Sequence, residues 1–184
     1  HLVYVSVAQT GDRRILVARR GQVATGFGPT ERLDSLSGDP TFESITGGVN
    51  GQVVVLWQQA DGSGPVRRFA ATLDAAGQAW QLSDRGAAGS ARRTLAAVSD
   101  SGDFRRYDLD SCSAMRRIAG VWLPDRPLPA GLCQPSSSFV AAMARTGDVV
   151  GGLFSDGAPA GNTGQFLAYR AATDSLAFPL GTRP

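Results

Sequence analysis

The chain has 184 residues, a mass of 19.2 kDa, 42% apolar and 18% charged residues, and a net charge of +2 with a pI near 8.9. That length supports one domain with a real core, and the low charge content suits a strand-rich exported domain better than a charged helical protein. The charge balance is too weak to imply a nucleic-acid partner, and no run of 18 apolar residues implies a membrane span.

The chain opens at His1 without an initiating Met, which reads as a processed, partial or tagged chain. It passes directly into strand-like Leu2 to Ala8, a turn at Gln9-Thr10-Gly11-Asp12, and a second strand from Arg14 to Arg19. Gly21-Gln22 returns the chain to a short third run, and Gly38-Asp39-Pro40 separates this first group of strands from the second. Phe42 to Thr46 then leads through Asn50-Gly51 into Gln52 to Gln59, an apolar strand ending in Trp57-Gln58-Gln59. After the Asp61-Gly62 turn, Val66 to Leu73 reads as a strand, Asp74 to Gly77 as a turn, and Ala79 to Leu82 as a closing strand. Asn-Gly and Asp-Gly are strong hairpin signals, because type I′ turns need positive φ at both central positions.

The second half reads the same way. Arg93 to Val98, a turn at Asp100-Ser101-Gly102-Asp103, Phe104 to Leu109 and Met115 to Leu123 form one group. Phe139 to Ala144, Thr146-Gly147-Asp148, Val149 to Phe154, Gln165 to Arg170 and Leu176 to Leu180 form the next. The glycines Gly11, Gly51, Gly102 and Gly147 recur at spacings of 40, 51 and 45 residues. A period in this range points to four units of short antiparallel strands. No segment of a dozen residues keeps a helical period. The expected fold is a single all-β domain over residues 1–184 with four approximate, propeller-like repeats of about 45 residues; a β-sandwich or barrel is the alternative.

The run from Val49 to Gln59, followed by Asp61-Gly62 and by Asp74-Ala75-Ala76-Gly77-Gln78-Ala79-Trp80, resembles a unit of bacterial exported β-propeller proteins. The last segment is similar to the Asp-box of sialidase-like propellers, with one extra residue between Asp and Gly; the fourth repeat, with Asp156-Gly157, Asp174 and Phe178, is a looser copy of the whole unit. The resemblance implies a propeller architecture and names no activity.

Cys112 and Cys133 lie 21 positions apart, across a loop carrying Pro124, Pro127 and Pro129. An even cysteine count in a turn-rich β chain suggests a disulfide and an oxidising compartment: periplasm, cell surface or medium. There is no lysine; all 18 basic residues are Arg, twelve of them in adjacent pairs. A Lys-free, Ala- and Gly-rich chain is also what a GC-rich genome produces. Neighbours in a strand point to opposite faces, so one pair cannot present both forks to one ligand. Arg105-Arg106 and Arg116-Arg117 flank two successive strands, however, and a hairpin would bring one Arg of each pair onto one face. Those four are the candidate anion-binding residues.

Catalytic constellations are thin. His1 is the one histidine, so a Ser-His-Asp triad or multi-histidine metal site is excluded. Glu31 and Glu43 are the only glutamates available for glycoside hydrolysis, and no spacing links them to Tyr4, Tyr107 or Tyr169. The aspartates fall in turns, where Asp ordinarily bonds its own backbone; Asp108-Leu109-Asp110 is the densest pair. Trp57, Trp80 and Trp122 read as core. The expectation is a non-catalytic extracytoplasmic module of a bacterial envelope or secreted protein. It would bind a protein or glycan partner and use no metal or cofactor. A sialidase-like, glycan-active hydrolase is the alternative.

Overall fold

The computed structural model describes residues 2–22, 24–34, 36–74, 79–89, 93–129, 133, 139–153, 165–173 and 175–177. Among these residues the chain is all-β and antiparallel, without a helix. Among them, therefore, no helix is long and apolar enough to cross a membrane. His1, most of the Asp-box-like segment (residues 75–78), Asp156-Gly157, Asp174 and Phe178 lie outside the described residues. The chain divides into two compact units, His1–Gly89 and Ser90–Pro184.

The first unit holds two meander sheets. One is β1 (Leu2–Thr10), β2 (Arg13–Gln22) and β3 (Gly26–Arg32) in that order; the other is β4 (Thr41–Gly47), β5 (Val53–Gln59), β6 (Arg67–Leu73) and β7 (Gln81–Ala87). Leu16 and Ala18 of the first sheet, with Leu33 just past β3, pack on Val53, Val55, Trp57, Ala71 and Leu73 of the second, with Val3, Val5, Phe69 and Trp80 around them. Trp57 stacks on Phe69, ring centroids 5.7 Å apart, so its place in the core is as expected. Polar–apolar alternation fails in β5 because Val54 and Leu56 are buried as fully as Val53, Val55 and Trp57. A strand buried on both faces needs a continuous apolar run.

The second unit holds β8 (Thr94–Val98), β9 (Phe104–Asp108), β10 (Ser113–Ile118), β11 (Val121–Trp122) and β12 (Arg126–Pro127) in one sheet. Its other sheet is β13 (Phe139–Met143), β14 (Val149–Leu153), β15 (Gln165–Arg170) and β16 (Ser175–Ala177). Tyr107, Leu109, Ala114, Leu128, Val149 and Tyr169 form its core, and Tyr107 meets Tyr169 edge-on at 5.5 Å.

Gly11, Gly51, Gly102 and Gly147 each have positive φ, between 61° and 87°. Each sits in the turn between the first and second strand of its sheet. The left-handed backbone is open to glycine at no steric cost. Two expectations are corrected. The single strand over Met115–Leu123 is broken at Ala119 (φ 47°) and Gly120 (φ 81°), a two-residue hairpin that pairs Ile118 with Val121. The strand over Ala79–Leu82 begins at Gln81 and runs on to Ala87.

Candidate functional site

The β9 and β10 strands pair as a hairpin, and its register sorts the four candidate arginines. Arg105 pairs with Arg116, while Arg106 faces Met115 and Arg117 faces Phe104. Arg105 and Arg116 therefore share the face of Tyr107 and Ala114; Arg106 and Arg117 share the other. Arg106 and Arg117 are buried, 4% and 7% exposed, and each has an interaction partner. Arg105 and Arg116 are half-buried. The Arg105 Nη1 donates to the Thr146 carbonyl at 2.9 Å, and the side-chain stem lies against Gly147 so closely that a Cβ there would meet Cδ at 2.5 Å. Among the described residues Arg116 has no carboxylate partner, and its Nε is buried without a hydrogen bond. Two like charges directly opposed across a hairpin are unfavourable until an anion lies between them.

Cys112 and Cys133 are bonded, Cα–Cα 5.4 Å, at the edge of the second unit's core. Between them the chain adds β12 to β10, pairing Pro127 with Ser113 and Arg126 with Ala114. Leu128 N donates back to the Cys112 carbonyl at 2.8 Å, and Arg126 Nη2 reaches the Tyr169 hydroxyl at 2.7 Å. The bridge therefore ties down a segment that also contributes Leu128 to the core. It is compatible with an oxidising compartment.

The carboxylates are tied up elsewhere. Glu31 accepts from Arg20 Nε and Nη2, the latter at 3.0 Å. Glu43 takes both oxygens to Arg68 Nε, at 3.1 and 3.0 Å, and also accepts from Gln58. Tyr4 pairs with Arg19 and Glu31 with Ala18, so Tyr4 and Glu31 stand on opposite faces of the same sheet. The Tyr107 hydroxyl donates to the Gly147 carbonyl at 2.9 Å, and burial pushes its pKa up. Three aspartates at turns bond backbone: Asp103 accepts from Ala119 N, Asp148 from Ala171 N, and Asp108 from Asp110 N and Ser111 N. Asp110 is itself paired with Arg93 at 2.8 Å. Among the described residues no group of three His, Cys, Asp or Glu side chains could hold a metal.

The densest polar cluster carries no sequence signature. The Asp34 carboxylate is fully buried and accepts from Leu16 N (2.7 Å), Arg32 Nη2 (2.9 Å), Arg13 Nη2 (3.3 Å) and Gln59 Nε2 (3.3 Å). Gln59 also donates to the carbonyls of Leu36 and Gly38 and accepts from the Trp57 indole. Burial alone would raise the Asp34 pKa; the Arg32 bonds, the Leu16 N–H and Gln59 together outweigh it and hold the carboxyl below its ordinary range. At the other end of β5 from Gln59, a depression of about 270 Å³ is lined by Val3, Ile45, Gly47, Gly48, Gly51, Gln52 and Val53. Among the described residues no titratable side chain lines it, so these residues offer shape and polarity without acid–base chemistry.

Compared with protein-family models and with curated proteins, the chain matches none.

Proposed function

We propose that this chain is a non-catalytic binding module of an extracytoplasmic protein, with four consecutive propeller-like sheets as its scaffold. The observation that carries the reading is the state of the two glutamates. Each is held by an arginine inside a sheet, whereas most glycoside hydrolysis uses two carboxyl groups facing one bond across a cleft. The four positive-φ glycines at equivalent turns support the repeat, and the Cys112–Cys133 bridge supports an oxidising compartment. Within this reading Arg105 and Arg116 receive an acidic group of a protein or glycan partner, since a guanidinium fork suits a carboxylate or phosphate.

The test has two arms. A panel of glycosides should show no turnover; turnover that disappears in Glu43→Gln or Glu31→Gln would overturn the non-catalytic reading. Retention on immobilised acidic polymer should weaken with salt and fall in an Arg105→Ala, Arg116→Ala double variant. Equal, salt-insensitive retention of both proteins would remove the hairpin as a binding face.

A further inference from the structure

The outer face of the first sheet carries a second grouping. Tyr4 is 53% and Phe27 43% exposed, and their rings lie 6.2 Å apart at 58°. Arg19, directly opposite Tyr4 on β1 and opposite Thr30 on β3, is exposed as well. A β-bulge makes the grouping. The register runs from Arg19↔Thr30 to Gly21↔Phe27, two positions along β2 against three along β3. Without the extra residue Phe27 would point to the opposite face of the sheet; with it, Phe27 joins Thr30, Arg19 and Tyr4. Gly21 beneath Phe27 has no room for a Cβ, which would meet the Gly26 carbonyl oxygen at 2.4 Å. The face is therefore bare of a side chain at that point.

Arg19 is held in place without being neutralised. Its Nε donates to the Gly28 carbonyl at 3.0 Å and its Nη2 to the Phe27 carbonyl at 3.5 Å. Those two bonds use one edge of the guanidinium, and among the described residues no carboxylate pairs with it. Of five N–H donors, the fork formed by Nη1 and the outer hydrogen of Nη2 has no partner among the described residues. The neighbouring arginines on this face, Arg13 and Arg32, are both paired with Asp34. Arg19 is thus a pre-positioned cation beside two exposed aromatic rings.

We infer that Tyr4, Arg19, Phe27 and Thr30 form a binding site for an acidic sugar, a pyranose bearing a carboxylate. The fork takes the carboxylate in two parallel bonds. The weakly positive C–H bonds of the sugar ring pack on the negative faces of Tyr4 and Phe27. The Tyr4 and Thr30 hydroxyls face the sugar's own hydroxyls. A sugar fits better than an acidic peptide because the site lies on the flat of the sheet. A peptide backbone would pair in the plane of the sheet, at the edges of β1 and β3, whereas these four side chains stand out from its face. This site is separate from the Arg105–Arg116 hairpin, and it shares with the proposed function only the premise that the chain binds a ligand.

The experiment is titration of the full chain with trigalacturonic acid, read by heteronuclear NMR or calorimetry. Neutral galactotriose and a poly-glutamate peptide serve as comparison ligands. Saturable binding of trigalacturonic acid is expected, at least tenfold tighter than either comparison ligand. Arg19→Lys should weaken it about tenfold, because the charge stays and the fork goes. Tyr4→Ala and Phe27→Ala should each weaken it by a similar factor. Residue-resolved shift changes separate the two sites: changes at β1, β2 and β3 report this one and changes at β9 and β10 report the hairpin, so failure here and failure of the hairpin reading are distinguishable. Unchanged melting temperatures in the Tyr4 and Phe27 variants establish that folding is intact. Absence of binding at millimolar sugar, or binding indifferent to Arg19→Lys and Phe27→Ala, would overturn the assignment. So would tighter binding of poly-glutamate, which would make the occupant a peptide. Self-association abolished by Tyr4→Ala would assign the face to a second copy and overturn it equally.

Discussion

Asp34 offers the sharpest test of how the first unit is held together. Its carboxylate has no exposed surface and gathers β2, β3 and β5 through Leu16 N, Arg32 and Gln59. Replacement by Ala orphans the buried Leu16 N–H, at about 1–3 kcal/mol, and removes charge-assisted bonds from two arginines, each worth about 1.5–3 kcal/mol when fully buried. The arginine contribution is discounted because the Arg13 and Arg32 side chains are 34% and 44% exposed and regain water. Gln59 keeps its bonds to Leu36 and Gly38. The expected loss is about 3 kcal/mol, at the lower end for a broken buried pair. Asp34→Asn keeps an acceptor for Leu16 N and should lose about half as much.

The pH dependence supplies the control. The folded carboxyl has a lowered pKa, so its contribution is present above the unfolded value near 3.9 and is lost as pH falls through the lower, folded value. Urea unfolding of wild type, Asp34→Ala and Asp34→Asn at pH 7 and pH 2.5 measures it. The gap between wild type and either variant should be wider at pH 7 than at pH 2.5. A gap of equal size at both pH values would refute an electrostatic role for the cluster. Variants within about 0.5 kcal/mol of wild type at pH 7, the range of neutral surface changes, would refute the cluster's importance altogether.

Three further outcomes rest on the same geometry. Trp57→Ala should cost about 3–5 kcal/mol in chemical denaturation, since the ring is 2% exposed and stacked on Phe69; an unchanged midpoint would place Trp57 outside the core. The denatured, unreduced protein should titrate with no free thiol, and a Cys112→Ser, Cys133→Ser variant should lose about 3 kcal/mol for its loop of 21 positions; two titratable thiols would contradict the bridge. Ala119→Gly should raise stability by about 1 kcal/mol, because Ala119 holds a left-handed conformation, φ 47°, in the two-residue turn; a lower melting temperature would refute that turn geometry.

The amino-acid sequence by itself determined the strand content and most strand positions. Apolar runs such as Val53–Trp57 have no other way to be buried, and the Gly-centred turns between them require the positive φ that Gly11, Gly51, Gly102 and Gly147 adopt. It also indicated that Cys112 and Cys133 pair. Register was beyond its reach. Side chains alternate with period two, so a shift of one residue moves a whole set to the other face. Only the paired strands decide that Arg105 stands with Arg116 and that Arg106 and Arg117 are buried. Only the bulge in β3 decides that Phe27 joins Tyr4 and Arg19. Asp34 reads in the sequence as one acid among 14 aspartates. Its burial depends on Leu16, Arg32 and Gln59 arriving from three strands, two of them in one sheet and the third in the sheet packed against it. Local sequence encodes turns and strand propensity; coincidences between distant residues exist only once the sheets have stacked.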